Sequence, residues 1–119
     1  MKFEINNTEW EIKEVDEATM NNEMKNVFTL GVTIYRIQEI LLLKDQANII
    51  NTLRHELMHV WLYEYGHAQN DETKYNYEDV CEIVASSNDF INKMLLFTAL
   101  NLKCTKARGN NIIILSNFN

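Results

Sequence analysis

Apolar side chains alternate with polar ones near the start of the chain, at Phe3 and Ile5 and again at Trp10 and Ile12. A period of two marks half-buried strands, and the Asn6-Asn7 pair between the runs predicts a hairpin. Residues 16–26 are polar and lack a clear period, as a loop or a short helix would. Residues 27–30 and 34–43 are rich in β-branched and aliphatic side chains and predict further strands, with Gly31 between them as a turn or bulge.

The period changes in the second half. Ile49, Ile50, Leu53, Leu57, Val60 and Trp61 recur at helical spacing, which predicts a helix over about residues 46–65. Asp45 stands where an N-cap acceptor is wanted, and Gly66 where a left-handed residue ends a helix. Residues 67–75 form a polar connection. A second helix is predicted from Asn76 to about Leu100, with Glu78 and Asp79 in its first turn, where acidic side chains suit the helix dipole. Val80, Cys81, Val84, Ile91 and Leu95 give this helix an apolar face. A Gly-Asn-Asn turn at 109–111 precedes a last candidate strand at 112–115. Strands followed by helices predict an α+β fold over a single domain, residues 1–119, with the helices packed on one face of a small antiparallel or mixed sheet.

Composition narrows the class. Of 119 residues, 46% are apolar and 24% charged, which suits one packed core and not a disordered chain. No apolar run reaches the ~18 residues of a membrane span. The first ten residues lack the apolar core and cleavage site of a secretion signal, so a cytoplasmic location is the expectation. The net charge is −6, and the 11 Lys and Arg residues form no basic stripe; direct nucleic-acid binding is not expected. Cys81 and Cys104 are too few for a disulfide scaffold and read as free thiols, Cys81 as a buried core residue.

The stretch that carries chemistry is Arg54-His55-Glu56-Leu57-Met58-His59. Residues four apart on a helix lie one turn above each other, so His55 and His59 present two imidazoles to one ion. Neutral imidazoles suit zinc, which prefers nitrogen and sulfur donors. Glu56, about 100° around the helix from His55, misses the metal itself. It reaches a water beside the metal and takes its proton as general base. A shuffled chain with three His and twelve Glu would show this HExxH pattern in under about one case in a hundred, so the motif is specific.

A catalytic zinc needs a third protein ligand and an open fourth position. The second helix offers Glu78 and Glu82, four apart on one face and followed by the small Ala85. One of them ligates while the other orients a ligand histidine, the usual layered arrangement around a metal. Cys81 is a weaker alternative ligand. Tyr63, four residues after His59, and His67, just past the helix end, are candidate hydrogen-bond donors to an oxyanion. Tyr65, Tyr75 and Tyr77 flank the same connection.

The motif at 55–59, followed from Glu78 by Glu-Asp-Val-Cys-Glu-Ile-Val-Ala, resembles small gluzincins of bacteriophages and integrative elements of low-GC Gram-positive bacteria. These are distant relatives of the ImmA/IrrE-type metallopeptidases. Gly31-Val32-Thr33 and Gln38-Glu39-Ile40 also resemble the strands before the active helix, and the likeness spans roughly residues 27 to 90. The resemblance implies a zincin-like fold and zinc held by His55, His59 and Glu78, with Glu82 at the position of an Asp or Asn. Cys81 stands where the family has Ala. It also implies an antiparallel edge strand that pairs with an extended protein or peptide substrate, supplied by residues 27–30 or 34–40. The expected activity is zinc-dependent peptide hydrolysis. The competing expectation is a partner-binding domain with a structural or catalytically latent zinc site; a purely structural site has no need of the intact Glu56, and a latent enzyme lies between the two.

Overall fold

The chain turns back on itself at Asn6 and Asn7, whose φ angles are 50° and 62°. A two-residue type I′ hairpin loop requires positive φ at both positions, and asparagine tolerates it well. In the computed structural model, which describes residues 1–25, 28–66 and 74–106, this turn joins strand β1 (Lys2–Ile5) to β2 (Thr8–Val15). Phe3 pairs with Trp10, as the alternation predicts. Helix α1 (Glu17–Glu23) follows, capped by Asp16, which accepts a hydrogen bond from Thr19 N at 2.7 Å. Strands β3 (Gly31–Ile34) and β4 (Glu39–Leu43) complete a four-stranded sheet in the order β1-β2-β4-β3. The sheet is mixed: β4 runs antiparallel to β3 and parallel to β2.

Gly31 opens β3 and is not a turn between strands. The expected strand over 34–43 is broken at 35–38, where Gln38 takes φ 57° and its N–H reaches Tyr35 O at 3.3 Å. Residues 28–30 are not in a strand, and 26–27 lie outside the described residues.

Helix α2 (Ile49–Glu64) is capped by Asn48, whose side chain accepts from Asn51 N at 3.2 Å. Asp45, expected as the cap, lies in the preceding turn with φ 60°. The helix starts later because Gln46 is engaged elsewhere. Its amide donates to Leu30 O and Leu43 O, and its Oε1 accepts from Thr52 Oγ1 at 2.6 Å, tying the β3–β4 hairpin to α2. Gly66 ends the helix with φ 79°, as expected.

Helix α3 (Tyr77–Lys106) begins with a reciprocal cap: Asn76 Oδ1 accepts from Asp79 N, and Asp79 Oδ2 accepts from Asn76 N. Its buried stripe is Ile83, Ser87, Ile91, Met94, Leu95 and Thr98. Of the expected apolar face Ile91 and Leu95 are buried, but Val80, Val84 and Cys81 are exposed, so Cys81 is not a core thiol.

One core unites the elements. Phe3, Trp10, Ile12, Ile40 and Leu42 from the sheet pack with Leu53, Leu57, Val60 and Trp61 of α2 and with Ile83, Ile91, Met94 and Leu95 of α3. α1 packs against β4 and buries Met20. Among the described residues no helix is long and apolar enough to cross a membrane. Residues 67–73 and the expected turn and strand at 109–115 lie outside the described residues.

Candidate metal centre

Burial of Leu53, Leu57, Val60 and Trp61 orients α2. It leaves His55 exposed and His59 half-buried on a side away from the core. Their Nε2 atoms face each other at 3.2 Å, with ring planes 75° apart. Two nitrogens that share one tetrahedral zinc at about 2.0–2.1 Å stand about 3.3 Å apart. The observed separation is close to that spacing.

Glu56 turns the other way, toward the sheet, and is only 6% exposed. Thr33 Oγ1 donates to Glu56 Oε1 at 2.9 Å and lies 3.3 Å from the Glu56 backbone carbonyl oxygen. Every second residue from Gly31 addresses this acid, because alternate strand residues share a face. A Cβ on Gly31 would lie 3.3 Å from Glu56 Cγ and 2.7 Å from Thr52 Cγ2, so only glycine lets α2 approach β3 this closely. Tyr35 continues the same face. Partial burial raises its pKa above the ordinary value of 10.0, and the negative charge of Glu56 and the neighbouring Tyr63 add to the rise.

Open grooves flank the motif. One of about 500 Å³ is lined by Phe28, Leu30, Gly31, Thr52, His55 and Glu56. Another of about 410 Å³ lies along Arg54, His55, Met58, His59 and Leu62. β3 is an edge strand of the sheet beside the first groove. The edge strand expected at 27–30 or 34–40 is found at neither place among the described residues: β3 at this edge is Gly31–Ile34, and β1 is the other edge.

Tyr63 is partly exposed and packs against Tyr35, ring centroids 4.7 Å apart, and against Trp10. Glu78 and Glu82 lie exposed on the first turns of α3. They sit about 140° and 100° around that helix from the buried Ile83, at about 100° per residue. Among the described residues, no group of three or more His, Cys, Asp and Glu side chains gathers so as to hold a metal ion. The arrangement brings the two imidazoles together and neither α3 glutamate, nor Cys81, to them. His67 lies outside the described residues. The sequence reading missed Thr33 and Tyr35. The signal was a period of two, Gly31-x-Thr33-x-Tyr35, one strand upstream of β4 and the HExxH helix. No protein-family model, curated protein or solved structure matches the chain.

Proposed function

We propose that this protein is a zinc-dependent peptidase. The observation that carries the reading is the pair of Nε2 atoms 3.2 Å apart on α2, with a buried carboxylate one residue after His55. His55 and His59 would hold the metal. Glu78, which this structure does not bring to the pair, would have to swing to it as third ligand, and Glu82 would then accept a hydrogen bond from the ring N–H of His55; the exchange of these two roles is the alternative. A zinc ion held there supplies a Lewis acid that makes water more acidic and polarises a peptide carbonyl.

The chain's own residues do the rest. An extended protein or peptide substrate lies in the groove between β3 and α2, where the free edge of β3 offers backbone groups for strand addition. Glu56 takes a proton from the attacking water on its carboxylate and returns it to the departing amine nitrogen as the C–N bond breaks. Tyr63 and His67 are the proposed donors to the carbonyl oxygen as charge develops on it.

The test is metal content and turnover together. Purified protein is expected to bind about one zinc per chain, and His55→Ala and His59→Ala each to lose most of it. Glu56→Gln is expected to keep the metal and lose hydrolysis of a quenched-fluorescent peptide mixture. In chelator competition Glu78→Ala should bind zinc more weakly than Glu82→Ala, for which a loss of about 10–100-fold is typical. Full metal content in a double His→Ala variant would remove the assignment.

A further inference from the structure

We propose that Thr33 is a positioning residue for Glu56, holding its carboxylate in one orientation at the wall of the groove that it shares with His55. The inference rests on the reading of Glu56 as proton acceptor. A glutamate side chain turns about three bonds, and a base works only within hydrogen-bond reach of its proton. Something must therefore remove that freedom. No Lys or Arg among the described residues forms an ion pair with Glu56. The Thr33 hydroxyl supplies a neutral anchor: its one proton goes to Oε1 at 2.9 Å, and the same oxygen lies 3.3 Å from the Glu56 carbonyl. A hydrogen bond to a carboxylate is stronger than one between neutral groups. It also holds the carboxylate without neutralising it, as a nearby cation would.

Local structure makes the anchor rigid. Thr33 is β-branched and sits in a strand paired with Ile40 of β4, so its χ1 is confined. Gly31 on the same face brings the backbone of β3 against Glu56 Cγ. With Oε1 tied to the strand, Oε2 is the oxygen that Thr33 leaves unengaged.

The experiment compares Thr33→Val, which keeps shape and strand propensity but loses the hydroxyl, with Thr33→Ser, which keeps the hydroxyl and loses the methyl. Thr33→Ala is the second hydroxyl-free variant. The Glu56 rotamer is read from side-chain couplings in isotope-labelled full-length protein, with and without added zinc. A single rotamer is expected in the parent and in Thr33→Ser, and averaged couplings in Thr33→Val and Thr33→Ala. In the zinc-loaded protein, kcat for the quenched-fluorescent peptide mixture should fall about 10–100-fold in Thr33→Val, with KM unchanged and recovery in Thr33→Ser. A single Glu56 rotamer in Thr33→Val, or averaging in Thr33→Ser, overturns the proposal. Absence of zinc or turnover in the parent counts against the peptidase reading alone, because the rotamer measurement stands without either.

Discussion

Gly31 and Thr52 leave no room for a side chain between them: a Cβ on Gly31 would sit 2.7 Å from Thr52 Cγ2. The threonine cannot easily turn away, because its hydroxyl is engaged with Gln46 Oε1 at 2.6 Å and lies 3.3 Å from Asn48 O. Gly31→Ala is therefore expected to destabilise the fold by roughly 1–3 kcal/mol through overpacking. Thr52→Ser removes the obstructing methyl and keeps the hydroxyl, so the double variant should recover most of the loss. Urea unfolding of the two single variants and the double variant checks this. Additive effects would mean the two sites do not meet.

Trp10 is 1% exposed, and its indole N–H donates to Glu64 Oε2 at 2.8 Å. The backbone carbonyl of Glu64 accepts from Asn6 Nδ2 at 2.8 Å, so the β1–β2 hairpin grips the end of α2. Glu64→Ala strands a buried donor and should cost about 1–3 kcal/mol. Glu64→Gln retains an acceptor and should cost clearly less. Thermal melts of both variants at neutral pH decide it, and equal losses would show that the indole bond is not the cause.

Tyr35 makes a pH prediction. Its folded pKa is raised, first by burial and then by the charges of Glu56 and Tyr63. A raised folded value means the protonated phenol contributes stability in full below the unfolded pKa of about 10. That contribution is lost as pH climbs through the folded value. Ultraviolet titration should show a tyrosine step above the ordinary phenol value, absent in Tyr35→Phe. Glu56→Gln removes one cause and should bring that step part of the way back down; an unmoved step would show that the carboxylate does not act on Tyr35.

What was legible in the sequence was what neighbouring residues decide. Asn6-Asn7 declares a hairpin, and His55 and His59 meet because four residues make about one helical turn. The parallel pairing of β2 with β4 was not legible, since it depends on which strands find each other across α1. Nor was the seat of α3. Val80, Cys81 and Val84 are as apolar as Ile83 and Ile91, and only contact with α2 and the sheet selects the stripe through Ile83. Thr33 was invisible because a one-residue slip in register would turn it to the opposite face. The helix cap moved from Asp45 to Asn48 because Gln46 had a better use for its amide.

The parallel pairing of β2 with β4 has a consequence for how the molecule assembles. β1–β2 and β3–β4 are hairpins closed by short turns, and α2 follows β4 directly. The pairs Thr33–Glu56 and His55–His59 thus span 23 and 4 positions along one continuous segment. Contacts of short sequence separation form early, because little chain entropy is lost in closing them. The β3–β4–α2 segment can gather its chemistry-bearing side chains before β1–β2 docks alongside. The first hairpin meets that segment through contacts of longer sequence separation, Ile12 beside Ile40 and the Trp10 indole on Glu64.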